Sequence, residues 1–209
     1  MPAAERRAAI VQAAIHRFAR HGFRGTTTRE LAAAAGVSEP VLYQHFATKR
    51  DLYTAIVDHL IEEAHERFDQ RAKQLEAVAS DREFLQWLGE SILAYYLEDP
   101  DRIRLLLFSA LEGHELADLW FEKATMDQIR WVERCLEKRI AAGTIRIQEP
   151  ELVARAFIFM VGHFGLKHLL FPGRCSPAPD GKLVEKLVDI FLNGIAAPGE
   201  ITDKGHEQS

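Results

Sequence analysis

Apolar residues in the first segment recur at steps of three and four: Ile10, Val11, Ala14, Ile15 and Phe18. That spacing marks one face of an α-helix. It predicts a helix over Glu5–His21, ended by Gly22 in the left-handed position that helix C-termini favour. In the next stretch, TTTRELAAAAG, Thr27 and Glu30 have the spacing of a capping box, and Gly36 closes a helix of barely two turns. Ser38 opens a third helix reaching about Phe46. Pro40 lies in its first turn, where a missing N–H costs little. Thr48 and Asp51 repeat the capping spacing and open a long fourth helix over 49–78.

The same grammar continues at larger scale. Ser80 and Glu83 cap a helix carrying Phe84, Leu88, Ile92 and Tyr95. Asp99-Pro100 ends it and starts another, with Ile103, Leu106, Leu107 and Ala110 as its apolar face. Gly113 precedes a continuous helix from His114 to Ala142, about 43 Å long at 1.5 Å per residue. Gly143 ends it, and residues 144–150 form a connector. Glu151–Phe171 is strongly apolar, PGRCSPAPDG is a Pro/Gly-rich break, and Asp180–Ala196 is the last helix. The final residues read as a disordered tail. No segment alternates as a strand does, so the fold class is all-α with about nine helices.

Two short capped helices around a glycine turn make a helix-turn-helix, whose second helix enters the DNA major groove. Within it, Leu42 and Phe46 share a face and can pin the helix to the body, leaving Glu39, Pro40, Tyr43, Gln44 and His45 to point outward. Glutamine can read adenine through two hydrogen bonds, and an apolar group such as Val41 can meet a thymine methyl. Thr27, Thr28, Tyr43 and Lys49 sit near helix starts, where hydroxyls and an ammonium can take phosphates. Arg29 and Ser38 complete the candidate DNA contacts. Spacing alone is equally that of a compact helical hairpin with no nucleic-acid role.

Charge sharpens the picture. The 209-residue chain has a net charge of −5, yet residues 1–55 carry eight basic and four acidic residues, a net +4, against −9 for the remainder. A basic head on an acidic body suggests two tasks in one chain. The composition, 47% hydrophobic and 27% charged, is that of a globular protein. No apolar run reaches the ~18 residues of a membrane span, and the charged, amphipathic N-terminus is unlike a secretory signal. Cys135 and Cys175 are too few for a disulfide framework, so reduced thiols and a cytoplasmic, nucleoid-associated protein are expected.

Residues 8–60 resemble the N-terminal domain of the tetracycline-repressor (TetR) family of bacterial regulators. The resemblance is carried by Ala13-Ala14, Phe18, Gly22-Phe23, Thr27-Thr28, Leu31-Ala32, Ala35-Gly36-Val37-Ser38, Leu42-Tyr43, His45-Phe46, Lys49 and Leu52. It implies a homodimer on a near-palindromic double-stranded DNA operator, released when a small molecule enters the C-terminal domain. The domains are then a DNA-binding head over 1–50, joined through the long helix 49–78, a helical ligand-binding and dimerisation domain over 51–197, and a tail over 198–209.

Within the second domain, the resemblance makes the two most apolar helices a four-helix interface between subunits. Val153, Phe157, Met160, Val161 and Phe164 are its candidates on one helix, and Leu183, Leu187, Ile190 and Phe191 on the other. Burial within a single subunit is the alternative. Gly162 and Gly165 would suit a close approach of two backbones. Candidate effector contacts are aromatics with polar neighbours: Trp87, Tyr95, Phe108, His114, Trp120 and Phe121, then Met126, Trp131, Phe159 and His163. Each has core packing as its alternative. With no basic cluster in these helices, a neutral or apolar effector is favoured.

Catalytic chemistry is not signalled. There is no H-E-x-x-H, P-loop, G-x-S-x-G or C-x-x-C. His163 and His168 are five apart, and His59 and His65 six apart, so neither pair converges on a helix. No enzyme activity, cofactor, metal or membrane partner is expected. The competing class is a helical small-molecule carrier that does not read DNA.

Overall fold

The computed structural model describes residues 2–75, 80–113, 115–145, 149–174 and 179–193. The end of the expected fourth helix at Val78, His114, Cys175, the end of the last helix at Ala196 and the tail lie outside the described residues. Helix α1 spans Ala3–His21, α2 Thr28–Ala34, α3 Glu39–His45 and α4 Lys49–Leu75. Ile10, Val11, Ala14, Ile15 and Phe18 are all buried, as their periodicity requires. The capping box of α2 is complete: the Glu30 N–H donates to Thr27 Oγ1 (3.3 Å) and the Thr27 N–H to the Glu30 carboxylate (2.8 Å). Thr48 and Asp51 reciprocate at 2.9 and 3.1 Å before α4. Ser38 holds the N-cap position of α3 with extended backbone angles, but its side chain makes no capping bond.

The head's hydrophobic core does not stop at residue 50. Leu52, Tyr53, Ile56, Val57, Leu60, Ile61 and Ala64 of α4 pack into it, with Leu105 and Trp120 from farther along the chain. Phe18 meets the Tyr53 ring edge-on at 4.9 Å, and Phe23 meets it at 5.1 Å.

The body comprises α5 (Asp81–Glu98), α6 (Pro100–Leu111), α7 (Glu115–Trp120), α8 (Met126–Ala141), α9 (Pro150–Leu170) and α10 (Gly181–Asn193). Ser80 and Glu83 form the expected capping box, and the Asp99 side chain accepts from the Arg102 N–H. The continuous helix expected from His114 to Ala142 is interrupted. Between α7 and α8 the chain takes a π-helical turn, Phe121–Thr125, which inserts one residue into the α ladder and locally widens the helix. Helix α6 is apolar on two faces. Ile103, Leu106, Leu107 and Ala110 line an internal cavity, as does the buried Arg102, and an unforeseen second stripe buries Leu105 and Ser109.

Helices α5, α8, α9 and α10 share the second core. Val153, Phe157, Val161 and Leu187, expected between subunits, are buried within this one chain by Phe84, Leu88, Val132 and Val188. They reach no outer surface. Met160, Phe164, Leu183 and Phe191 are half-buried at its rim, and Ile190 is exposed. The apolar surface of α9 is instead Leu152, Phe159 and Leu170, with His163 on the same side. Gly162 and Gly165 accommodate a side chain rather than a second backbone, because a Cβ at Gly165 would lie 2.7 Å from the Tyr96 ring. By length and mean hydropathy α9 could cross a membrane. Here one face of it is buried against α5, α8 and α10.

Candidate nucleic-acid interface and internal cavity

Helix α3 is held at both ends and presents its middle. Leu42 and Phe46 are buried, so the helix is anchored on one side. Gln44, Tyr43 and Pro40 are exposed, and Val41 and His45 half-buried. Glu39 does not point freely outward, since its carboxylate accepts a 2.8 Å bond from the Thr28 hydroxyl. The Tyr43 hydroxyl in turn donates to Thr28 Oγ1 at 3.4 Å. These contacts tie α3 to the start of α2. Thr27 and Arg29 are exposed there, beside Arg17, which pairs with Glu30 at 2.7 Å.

Lys49, expected at a phosphate, is also tied into the head. Its ammonium donates to the carbonyls of Phe23 (2.8 Å) and Thr26 (3.0 Å) and lies 4.2 Å from the Phe23 ring centroid. Burial lowers its pKa, and the nearby Glu112 carboxylate opposes that shift. Two of its three N–H donors therefore hold the α1–α2 turn, leaving one for a phosphate.

The cavity holds about 550 Å³ between α5, α6, the α7–α8 segment and α9. Of the aromatic candidates, Trp87, Tyr95, Trp120 and Phe121 line it. Phe108 turns toward Gly22 at the head, and Trp131 packs on Trp87 (5.9 Å) and Phe84 (6.0 Å) behind the wall. Met126 is not among the lining residues, although Thr125 and Gln128 on either side of it are. Phe159 and His163 are exposed on the outer face of α9, away from the cavity, because the inward face is taken by Ile158 and Leu166. Sequence reasoning missed Ser91, Tyr96 and Arg102. Ser91 and Tyr95 are four apart on α5, a spacing that could have linked them. Nothing local marks Arg102 as inward-facing.

Two chain segments match known families. Residues 10–56 match the bacterial regulatory proteins of the tetR family, and residues 83–194 match the C-terminal domain of AefR-like transcriptional repressors. The chain belongs to the tetR family. It is 30% identical over 158 residues to the HTH-type transcriptional regulatory protein RaaS of Mycobacterium tuberculosis, covering 76% of this chain and 68% of that one. Its fold is shared with FadR of Bacillus subtilis, solved with stearoyl-CoA (TM-score 0.70, 16% identity, 90% of this chain and 99% of that one). It is also shared with AibR, solved with isovaleryl coenzyme A and operator DNA (TM-score 0.67, 18% identity, 90% and 98%). This tetR-family protein is thus a DNA-binding transcriptional regulator, and a carrier without a DNA-reading role is set aside.

In this regulator, α6 joins cavity to head. While Leu106 and Leu107 line the cavity, Leu105 lies in the head core. At the end of α6 the Glu112 carboxylate accepts from the backbone N–H groups of Phe23 (3.1 Å) and Arg24 (3.4 Å). Gly22 makes this possible. Its φ of +69° suits glycine, and a Cβ there would run into the Glu112 carboxylate. Asp101, at the other end of α6, pairs with His16 of α1.

Proposed function

We propose that the protein is a homodimeric repressor that leaves a near-palindromic operator when a small, largely apolar effector occupies the cavity beside α6. The observation that carries this reading is that one helix has Leu106 and Leu107 at the cavity and Leu105 and Glu112 on the head. An effector that favours a shifted α6 also favours a different setting of the α1–α2 turn, and hence of α3. DNA binding and effector binding then weaken one another by the same factor. Gln44 reads a base, Tyr43, Thr27, Thr28, Arg29 and Lys49 meet phosphates, and two copies of α3 lie about 34–36 Å apart, one DNA turn. The dimer forms through the exposed side of α9 and α10, with Phe159 and Ile190 at its centre.

The coenzyme A thioesters bound by the FadR and AibR relatives support an effector with an apolar acyl portion. The test combines selection of duplex sites from a random pool with mobility shift on the selected site, repeated with candidate effectors. Selection of a near-palindromic site, followed by loss of the shifted band on effector addition, is expected. Failure to enrich any site would remove the reading.

A further inference from the structure

Helix α3, the element that meets the major groove, opens on a carboxylate. Glu39 is half-buried and accepts a 2.8 Å bond from the Thr28 hydroxyl. Thr28 has one hydroxyl proton, and a carboxylate only accepts, so that proton is committed to Glu39. The 3.4 Å contact between Tyr43 and Thr28 then has one direction, with the Tyr43 hydroxyl donating to Thr28 Oγ1. The three side chains form a directed chain, Tyr43 to Thr28 to Glu39, that ends on the carboxylate.

A phosphate, like a carboxylate, offers acceptor oxygens. With both protons turned toward Glu39, neither hydroxyl has one to give to a DNA backbone, so Glu39 and a phosphate compete for the same donors. Glu30 holds the Thr27 hydroxyl in a similar way at 2.9 Å, but it also closes the capping box of α2 and pairs with Arg17 at 2.7 Å. Among the described residues, Glu39 has no cationic partner and no capping bond. Its hold on Thr28 is therefore the one that can be exchanged without undoing a helix start.

An unpaired carboxylate brought against a polyanion is repelled unless the DNA supplies a donor. The major groove offers two amino groups, cytosine N4 and adenine N6. Adenine N6 stands beside the N7 acceptor, which opposes a carboxylate, whereas cytosine presents its amino group without one. Guanine and thymine present acceptors to it.

We infer that Glu39 is a specificity gate: on a cytosine amino group it releases the Thr28 and Tyr43 protons to operator phosphates, and on an acceptor edge it keeps them. This rests on α3 reading DNA with Thr28 and Tyr43 at phosphates. On the operator, the bond from Thr28 to Glu39 is replaced by one from cytosine, and the hydroxyls gain the phosphates. On other sequences the hydroxyls stay occupied, or the carboxylate is left unmet. Every duplex carries the same phosphates, but only some place a donor at Glu39, so the gate acts on discrimination.

The test selects sites from a random duplex pool with the full chain as wild type, Glu39→Ala and Glu39→Gln. Affinities follow for the selected duplex and for a shuffled duplex of the same composition. Wild type is expected to select a cytosine whose preference falls about tenfold in Glu39→Ala. Glu39→Gln can pair with adenine N6 and N7 and is expected to move the preference at that position to adenine. On the shuffled duplex, Glu39→Ala is expected to bind about fivefold or more tightly than wild type, the effect of freeing one hydrogen bond to a charged group. Repeating that substitution in a Thr28→Val background separates proton release from the loss of a like charge. The gain should largely disappear there, because no Thr28 proton remains to be freed. A gain of equal size in both backgrounds, or a selected site unchanged by both Glu39 variants, overturns the gate and leaves α3 as the reading helix. If wild type enriches no site, the gate and the reading of DNA by α3 both fall.

Discussion

Gln44 stands exposed on α3, one position past Tyr43, whose hydroxyl bonds to Thr28. That bond holds Tyr43 near the start of α2 and leaves the amide of Gln44 available to a base edge. Gln44→Ala is expected to relax preference at one base pair by about 1–3 kcal/mol of discrimination, measured by site selection with the variant and wild type. An unchanged selected site would show that another side chain reads the base. Glu30 and Glu83 offer a second test at this scale. Capping bonds to Thr27 and Ser80 respectively hold their carboxyl pKa values below the ordinary range. A lowered folded pKa means that the stabilisation is present above the unfolded pKa and is lost as pH falls through the lowered value. Stability should therefore decline on acidification into and below the usual carboxylate range. The Glu30→Gln, Glu83→Gln double variant should lose less over the same interval in pH-dependent denaturant melts. The capping partners were visible in the sequence because capping is local. The place of Lys49 was not, because its acceptors, Phe23 and Thr26, are brought to it only when α1 and α4 pack.

At the scale of elements, α9 separates two kinds of apolar residue that a composition count merges. Phe157 is 1% exposed and Phe159 61%, although they are two apart on one helix. Phe159→Glu should thus give a folded protein that sediments as a monomer and has lost operator binding. Leu187→Glu should instead put an unpaired charge into the core of a single chain and unfold it. Sedimentation together with circular dichroism distinguishes the two outcomes. A dimeric Phe159→Glu protein would move the interface elsewhere. The helical period could not assign these roles, because α9 is apolar nearly all round and the partners of each face come from α5, α8 and α10.

For the whole molecule, the question is how occupancy at one end changes the other. Leu105 of α6 and Glu112 at its C-cap touch the head, and Ile103, Leu106 and Leu107 line the cavity. Coupling free energies of about 1–3 kcal/mol correspond to roughly 5–150-fold changes in affinity. Glu112→Ala removes the acceptor for two backbone N–H groups of the α1–α2 turn. It should reduce that factor while leaving effector affinity, measured without DNA, close to wild type. Titrating effector against variant and wild type on the same operator gives the ratio. A coupling factor unchanged in Glu112→Ala would remove the carboxylate from the link.

Periodicity, caps and turn glycines lie within a few residues of one another, so α1 to α4, the capping boxes at Thr27, Thr48 and Ser80, and the helix-turn-helix could be read along the chain. The exposed Tyr43 and Gln44 followed from the anchoring of Leu42 and Phe46 on the opposite side. The double-sided role of α6, the inward turn of Arg102, the exposed setting of Phe159 and His163, and the π-helical turn that breaks the long helix were not legible. Each depends on contacts between residues distant in sequence, such as Glu112 with Phe23 and Arg102 with Glu63, or on a one-residue change in helical register. A side chain's helical face is a local property. Which neighbour, cavity or solvent that face meets exists only once the helices have packed.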